Sequence, residues 1–277
     1  MASIFKRCPE PLVLLFLVTL AIQLSCSVAT ATYSNHSSVG GMLPVHCLPD
    51  QTSALLHLKR SFTVTNESAC TLDSWRAGTD CCHWEGVQCR DANGRVTSLD
   101  LGDYGLQSPA LDHAVFWLTS LRHLNLAWND FNHSQLPASG FERLAELRHL
   151  NLSTSSFDGQ IPDGIRSLTN LVSLDLSSTF NVEDDHPDSS TGYGYAGYGI
   201  WVDHPASFLV EPNIASLVAN LTNLRELNLD SANLSGNGVE WCTAFANSTT
   251  PQLKVLSLRY CNLYGPVCGS LSSIPSL

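Results

Sequence analysis

The chain has 277 residues, which suffices for one large domain or two modest ones. Only 14% of the residues are charged and the net charge is −11, which argues against a protein that binds duplex nucleic acid through clustered Lys and Arg. Ten cysteines are unusual in the reducing cytosol and ordinary in a secreted chain.

The first 31 residues have the order of a secretory signal peptide. Lys6 and Arg7 precede the uncharged run from Leu12 to Leu24, and the small residues 29–31 (Ala-Thr-Ala) come next. A membrane anchor, the other interpretation, needs about 20 apolar residues. We therefore expect residues 1–31 to be a signal peptide, residues 32–46 to be a linker, and the given chain to be secreted.

N-x-[ST] sequons occur seven times after the predicted signal peptide. In a secreted chain each sequon meets the glycosylation machinery. Six are predicted to be glycosylation sites: Asn35, Asn66, Asn132, Asn220, Asn233 and Asn247. The seventh, Asn151, is doubtful because it lies inside one of the leucine repeats.

Residues 47–95 differ in kind from the repetitive remainder of the chain. Asp50 is predicted to cap a helix whose apolar face holds Ala54, Leu55, Leu58 and Phe62. A dense stretch of Cys and Trp comes next, over residues 75–89.

Cys82, His83 and Cys89 allow a zinc site as an alternative to disulfides. Secretion favours disulfides, and no second ligand pair has the usual spacing.

From residue 96 onward the chain repeats itself. The first leucine of an L-x-L motif recurs at spacings of 25, 26, 24, 53 and 29 residues: Leu99, Leu124, Leu150, Leu174, Leu227 and Leu256. Four of these lie in a longer frame, L-x-x-L-x-x-L-x-L, which begins at Leu118, Leu144, Leu168 and Leu221.

The spacing predicts an α/β solenoid. L-x-L alternates with period two and is therefore a short strand with its leucines inward. A segment of about 24 residues with one such strand cannot bury its own leucines, so it is stable only when neighbours stack. Parallel strands then line the concave face, and irregular or 3-10 segments return along the convex side.

The 53-residue spacing indicates either one repeat with 29 extra residues or two repeats of which one is degraded. We assign an acidic, Gly- and Tyr-rich insertion to residues 179–212. Its Tyr and Trp side chains suit a contact surface, and a tolerated, disordered loop is the alternative.

Cys242 and Cys268 lie 13 and 10 residues after Leu229 and Leu258, at similar depth in consecutive return segments. A disulfide between them is expected, although the sequence leaves the connectivity open. Cys70 has no evident partner.

Two patterns resemble those of plant extracellular leucine-rich repeat proteins. Trp75 and residues 80–89 (DCCHWEGVQC) resemble the N-terminal cap signature sW…dCCxWxGVxC. The repeats resemble LxxLxxLxLxxNxLSGxIP, with return signals at residues 157–162 (FDGQIP) and 234–236 (LSG). The resemblance implies disulfides Cys47–Cys81 and Cys82–Cys89, in a cap that covers the open end of the leucine column.

The resemblance also implies one inward Asn in each repeat. Asn129 holds that position, and Ser155, Ala232 and Cys261 hold it in other repeats. We interpret Cys261 as a buried small residue rather than as a reactive thiol. Asn151 lies between inward leucines, so a glycan there would block the concave face.

The whole chain resembles the ectodomains of plant leucine-rich repeat receptor-like proteins, the Cf-type and wilt-resistance immune receptors. These are single-pass plasma-membrane proteins that perceive microbial or self-derived ligands and signal through partner receptor kinases. A secreted inhibitor similar to the polygalacturonase-inhibiting proteins is the second interpretation, and a receptor-kinase ectodomain is the third. Enzyme motifs are not found, and no cofactor is expected.

Residues 271–277 look like the opening of another repeat. We expect the chain to be the N-terminal part of a longer protein, in which a membrane anchor would lie, or a truncated product.

Binding of a protein or peptide ligand is assigned to side chains that flank the concave strands: His123, Asn125, Trp128, His149, Asp175, Ser177, Arg225, Asn228, Asp230, Arg259 and Tyr260.

Overall fold

The computed structural model describes residues 46–63, 72–89, 93–178, 209–246, 251–269 and 271. The predicted signal peptide, Cys70 and residues 179–208 of the insertion lie outside these residues. So do three of the predicted glycosylation sites: Asn35, Asn66 and Asn247.

The described chain consists of short strands, separated in places by short helices. The strands are β1 (Val87–Gln88), β2 (Ser98–Asp100), β3 (His123–Asn125), β4 (Ser134–Gln135), β5 (His149–Asn151), β6 (Phe157–Gln160), β7 (Ser173–Asp175), β8 (Leu209–Val210), β9 (Glu226–Asn228) and β10 (Val255–Ser257). The α-helices are α1 (Pro49–Ser61), α2 (Asp163–Arg166), α3 (Ile214–Val218) and α4 (Thr243–Ala246). The 3-10 helices are Cys81–His83, His113–Trp117, Phe141–Arg143 and Ser235–Glu240.

Seven strands form the main sheet, in the order β1-β2-β3-β5-β7-β9-β10. From β2 onward the strands are parallel and in register, so Leu99, Leu124 and Leu150 stack in one column with their counterparts in later repeats. The first five leucines of the column are at most 1% exposed, because each is covered by its neighbours on both sides. The predicted solenoid of six stacked repeats is the observed fold.

A second sheet joins β4, β6 and β8 on the return segments. Its strands are parallel, with Gln135 opposite Asp158 and Gln160 opposite Val210. The sequence predicts only irregular or 3-10 returns here. Strands of two to four residues leave no alternating pattern long enough to detect.

The long spacing is a single repeat with an insertion. β7 pairs directly with β9, with Leu174 opposite Leu227. The insertion is predicted to end at about residue 212, and the return strand β8, which begins at Leu209 and pairs with β6, falls at that end. Glu211, predicted to be an acid of the insertion, is fully buried.

Glu211 can be buried because it forms an ion pair with Arg166. Its carboxylate lies 3.1 Å and 3.3 Å from the guanidinium of Arg166, on α2 of the preceding repeat. It also accepts a hydrogen bond from the backbone amide of Asn213 at 2.9 Å. This ion pair fastens the chain that returns at β8 to the repeat before it.

Asn129 forms the expected inward ladder. Its side-chain amide donates to the carbonyl of Leu101 at 2.8 Å and to that of Leu126 at 2.9 Å, and its oxygen accepts from the amide of Leu106 at 2.9 Å. Ser155 continues the ladder by donating to the carbonyl of Leu126 at 2.8 Å. One side chain thus satisfies backbone groups of two repeats.

Cys261 occupies the same ladder position. It is the free cysteine of the described residues, 2% exposed, and its thiol lies 3.1 Å from the carbonyl of Leu229. Burial, with a smaller contribution from Asp230, raises the pKa of the Cys261 thiol to about 11. Since the thiolate is the reactive form, this cysteine is chemically inert in the folded protein.

Helix α1 begins two residues earlier than a cap at Asp50 would place it. Leu48 precedes it without a side-chain cap, Pro49 is its first residue, and Asp50 lies in the first turn. The prediction that Asp50 caps the helix is therefore wrong. Proline is preorganised for the first helical position, and an acid in the first turn still favours the helix dipole.

The predicted apolar face of α1 packs into the cap core, since Ala54, Leu55 and Leu58 are at most 1% exposed. Trp75 and Trp84 stack behind it with ring centroids 5.5 Å apart.

Disulfides join Cys47 to Cys81 and Cys82 to Cys89, as the family resemblance implies, and Cys242 to Cys268, a bridge whose connectivity the sequence left open. The cap meets the repeats through β1, which runs antiparallel to β2. Gly86 precedes β1 at φ 76°, and its carbonyl accepts from the amide of Asp100 at 2.8 Å. A Cβ at Gly86 would overlap the carbonyl of Asp100, so the close approach of β1 to β2 requires glycine at this position.

Asp80 ties the cap together in a way that the sequence did not reveal. Its carboxylate accepts from the backbone amides of Cys47 at 2.9 Å and Cys82 at 3.1 Å. Its other oxygen lies 3.2 Å from His46 and 3.4 Å from His83. Burial acts to raise the pKa of Asp80, but the two amides and the histidines outweigh it and hold the pKa below 3.8.

Asp80→Ala is expected to lower the free energy of unfolding by about 1–3 kcal/mol, because two backbone amides lose their acceptor. A lowered pKa contributes stability above 3.8 that is lost as the pH falls through the folded-state pKa. The difference from wild type should therefore shrink in acid. Urea unfolding at neutral and acidic pH measures both effects, with the exposed Asp73→Ala as the control; equal stability of the two variants would contradict this role.

Candidate functional site

The concave sheet presents its side chains in parallel rows. Within each three-residue strand the central leucine points inward and its two neighbours face outward. Because the strands are in register, equivalent side chains of successive repeats stand about 4.8 Å apart. A ligand lying across the strands would therefore run along a row and meet one repeat after another.

The row at the end of the strands has a structural task. In each of its members the side-chain oxygen accepts a hydrogen bond from the backbone amide two residues later, at 3.0–3.3 Å. This is an Asx turn, which only Asp and Asn form well. We call this row the polar seam: Asp100, Asn125, Asn151, Asp175 and Asn228.

Neighbouring residues of the polar seam also bond to each other. The Asn125 amide donates to Asp100 at 2.8 Å, and the Asn228 amide lies 3.4 Å from Asp175. Three predicted ligand contacts, Asn125, Asp175 and Asn228, therefore hold the turns that come after their strands.

Ser177, another predicted contact, is 7% exposed, and its hydroxyl donates to Asp175 at 2.7 Å. Its assignment to the binding surface is wrong, because the turn folds it inward.

Asp230 replaces the missing member of the polar seam in the sixth repeat, where Ser257 follows β10's leucine. Its carboxylate accepts from the backbone amide of Arg259 at 2.7 Å and from the Ser257 hydroxyl at 2.6 Å. The Arg259 guanidinium lies 3.5 Å from the same carboxylate. Arg259 itself remains exposed, so Asp230 positions a cation on the concave face.

His123 and His149 face each other on adjacent strands. Their ring centroids lie 5.8 Å apart, at an interplanar angle of 47°. Burial first, and then the neighbouring His123 and Arg148, lower the pKa of His149 below 6.5, while Glu226 acts in the opposite direction. Both rings are accessible from the concave side, as predicted.

Two predicted aromatic contacts stand beyond the polar seam. Trp128 and Tyr260 occupy equivalent positions of two repeats, are 51% and 80% exposed, and have φ values of 58° and 57°. The left-handed backbone turns each side chain out of the framework. Large apolar surface exposed at equivalent positions is typical of a contact region.

A row of cations lies at the start of the strands, and the predicted ligand contacts include only Arg225 of its members. The others are Arg122, Arg148 and Lys254, each directly preceding a concave strand. We call this row the basic edge: Arg122, Arg148, Arg225 and Lys254. The basic edge could have been found from the sequence, because each of its members directly follows a leucine and lies two residues before the strand leucine.

The cap cysteines lie close enough for a metal site by distance alone, with the sulfur atoms of Cys47, Cys81, Cys82 and Cys89 within 4.8 Å of one another. Their pairing in two disulfides removes the thiolates that zinc requires. His83, considered with them as a ligand, is exposed and points to Asp80 instead.

Of the predicted glycosylation sites within the described residues, Asn132 and Asn220 are exposed and Asn233 is half-buried. Their occupancy remains a prediction. No helix among the described residues is long and apolar enough to cross a membrane.

Two known domain families match the chain. The leucine rich repeat N-terminal domain matches residues 48–90, and the leucine rich repeat matches residues 146–168. Both matches fall on the cap and repeats described above.

Plant receptor-like proteins are similar in sequence. Receptor-like protein 6 of Arabidopsis thaliana is 35% identical over 250 residues, which are 83% of this chain and 22% of that protein. Receptor-like protein Cf-9 of Solanum pimpinellifolium is 32% identical over 220 residues, 74% of this chain and 22% of that protein. The chain thus spans 22% of the length of these two relatives.

Solved plant ectodomains share the fold. The HAESA ectodomain of Arabidopsis, in complex with an N-terminally extended IDA peptide hormone ligand, gives a TM-score of 0.52 at 24% identity, covering 82% of this chain and 36% of that one. The GASSHO1/SCHENGEN3 ectodomain of Arabidopsis thaliana, in complex with CASPARIAN STRIP INTEGRITY FACTOR 2, gives 0.56 at 20% identity, covering 82% and 23%. At these identities the likeness concerns the fold.

Proposed function

Because the chain belongs to the leucine-rich repeat receptor-like proteins of plants, we propose that its concave face recognises an extracellular peptide or protein ligand. The observation that carries the proposal is the continuous row structure of the concave sheet. Exposed side chains of several chemistries, His149, Trp128, Arg259 and Tyr260, lie on one rigid face while the polar seam holds their spacing.

The proposal places this recognition at the plasma membrane, facing the apoplast, in plant defence. Receptor-like proteins lack a kinase, so the signal would pass through a partner receptor kinase that binds beside the ligand. The precedent for a peptide ligand is the solved ectodomains of this fold that contain one. The partner kinase rests on family resemblance.

Alanine at Trp128 or Tyr260 is expected to weaken ligand binding at least tenfold without lowering secretion. Both side chains are exposed, so their removal costs little folding energy, while aromatic anchors carry much of the energy of an interface. The measurement is binding of size-fractionated peptides from infected-leaf apoplastic fluid to the immobilised, secreted chain, with candidate peptides then synthesised and titrated.

The matched control is Tyr264→Ala, which removes another exposed aromatic ring from the last described return segment. Loss of secretion in Trp128→Ala or Tyr260→Ala would make these residues structural. Unchanged binding in both variants would remove the concave face from the proposal. Inhibition of a microbial polygalacturonase by the chain, without any peptide binding, would favour the secreted inhibitor.

A further inference from the structure

The basic edge concentrates charge in a strongly acidic chain. The sequence has only 14 Lys and Arg in 277 residues, and four of them occupy one structural position in four of the six repeats. Val172 holds that position in the fourth repeat, between Arg148 and Arg225. The arrangement is two cations, an apolar gap, and two more cations.

The backbone fixes this row. The amide of Arg148 donates to the carbonyl of Arg122 at 2.9 Å, and the amide of Lys254 donates to that of Arg225 at 2.7 Å. Val172 links the two pairs, with bonds of 2.7 Å and 2.8 Å. Four strand steps of about 4.8 Å make the row roughly 19 Å long. An extended peptide of about six residues covers the same distance.

The two halves of the row differ in their neutralisation. Arg122 is bonded to Glu146 at 3.1 Å and 3.2 Å, and Arg225 lies 3.4 Å from the amide oxygen of Gln252. Within the described part of the chain, Arg148 and Lys254 are exposed and make no side-chain hydrogen bond or ion pair. Each half therefore has one cation, Arg148 or Lys254, without a side-chain partner among the described residues. The halves differ because Arg122 is paired with an acid, whereas Arg225 contacts a neutral amide.

The opposite ends of the strands carry the opposite charge. Asp100 and Asp175 of the polar seam lie there, and Asp103 and Asp230, the latter paired with Arg259, come two to three residues after their strands. Acids thus predominate at that end of the strands, whereas Glu146 and Glu226 accompany the four cations at the other end. An anionic ligand is repelled from one side and attracted to the other, which orients it.

We propose that the basic edge binds an extended acidic peptide segment that lies across the strands, with two acidic side chains about four positions apart. One carboxylate meets the Arg122–Arg148 half, the other meets the Arg225–Lys254 half, and a small apolar residue lies over Val172. The centres of the halves are three strand steps apart, roughly 14 Å, which is about four extended residues. This assignment rests on the proposed recognition function and specifies its ligand class.

His123 and His149 extend the first half of the site and make it sensitive to pH. The charged groups around them are Arg122 and Arg148 on the strand entries, Glu146 beside Arg122, and Glu226 two strands away, which accepts from the Ser173 hydroxyl at 3.0 Å. A bound carboxylate favours the protonated imidazole of His149, whose pKa is otherwise lowered by burial, so the affinity should rise as the pH falls from 7.5 to 5.

The test uses fluorescein-labelled heptapeptides and the secreted chain. The probe GEAVAEG has acids four positions apart; GQAVAQG is neutral, and GAEVEAG has the same charge with acids two positions apart. We expect the first to bind at least tenfold more tightly than the other two, and more weakly as salt is raised. Equal binding of all three probes would overturn the proposal.

The variants locate the site. Arg148→Glu combined with Lys254→Glu should weaken the first probe at least tenfold. Arg143→Glu, a charge reversal in the same repeat on an exposed 3-10 helix, should leave it unchanged. His123→Gln with His149→Gln should abolish the pH dependence while binding at pH 7.5 persists. A thermal unfolding curve checks that each variant is folded, and Arg148→Gln is the milder substitute if one is not.

The outcomes separate this inference from the proposed function. If a native peptide ligand is lost in Trp128→Ala but kept in the charge-reversed variant, the concave face binds ligands and the basic edge is not its acidic subsite. If an oligogalacturonide binds through Arg148 and Lys254 more tightly than GEAVAEG, the ligand is a polyuronide and the peptide assignment is overturned.

Discussion

Glu211→Ala is expected to lower the free energy of unfolding by about 3–5 kcal/mol, the usual cost of removing one partner from a buried ion pair. The carboxylate is fully buried against Arg166, whose side chain is 18% exposed. Its loss leaves the guanidinium without its buried counter-ion and the Asn213 amide without its acceptor. Urea unfolding of the secreted chain measures the change.

A matched control uses the same arginine. Asp163 is 81% exposed and lies 2.9 Å from the other end of the Arg166 guanidinium. Asp163→Ala should cost less than about 1 kcal/mol, because solvent screens an exposed pair. Equal costs for the two alanine variants would mean that Glu211 does not fasten β8 to the preceding repeat. The double variant Arg166→Met with Glu211→Leu, which removes both charges, should recover most of the loss.

The pH dependence of stability gives Glu211 a separate signature. Burial raises its pKa above 4.5, outweighing the Asn213 amide and Arg166. Between 4.5 and this raised pKa the folded protein holds a proton that the unfolded chain has released, so the free energy of unfolding falls as the pH rises. Glu211→Gln, which does not titrate, should show a shallower fall over that window.

Removal of the Cys47–Cys81 disulfide is expected to cost about 4 kcal/mol, against about 2 kcal/mol for Cys82–Cys89. The first closes a separation of 34 residues and the second one of 7, and a larger closed loop restricts the unfolded chain more. The double alanine variants, one for each bridge, provide the comparison. Their unfolding free energies and secreted yields should fall in the same order.

The rank order is the informative result, since both bridges lie in the same cap and each variant removes two sulfur atoms. A larger loss from Cys82–Cys89 would show that the short bridge, next to β1, holds the junction between cap and repeats. In that case contacts in the native state, rather than the entropy of the unfolded chain, would set the stability of the cap.

The stacking of the repeats could be predicted from sequence because it depends on spacing alone. The strand leucines, their register and the ladder position of Asn129 recur at fixed intervals, and each interval has a physical meaning. The position of Glu211 belongs to no such interval. Glu211 reads as one more acid of an acidic stretch, and only its approach to Arg166, 45 residues earlier, explains its burial.

The concave face could be predicted in part for the same reason. Because side chains alternate between the two faces of a strand, the sequence shows that Asn125 and Asp175 point outward. This direction favours their assignment to ligand binding. It does not show that their oxygens accept hydrogen bonds from the next turn, because that depends on the path of the chain after the strand. The role of Asp80 is hidden similarly, since its partners at Cys47 and Cys82 meet only in the folded cap.

The polar seam bears on how a repertoire of such receptors diversifies. A position restricted to Asp or Asn in five repeats is closed to most substitutions, however exposed it looks. Under the proposed function, new specificities would arise on either side of it, among exposed positions such as Arg148 and Trp128. Selection for different ligands would leave two variable rows of residues, one on each side of the invariant polar seam. That pattern can be sought among alleles of a single locus.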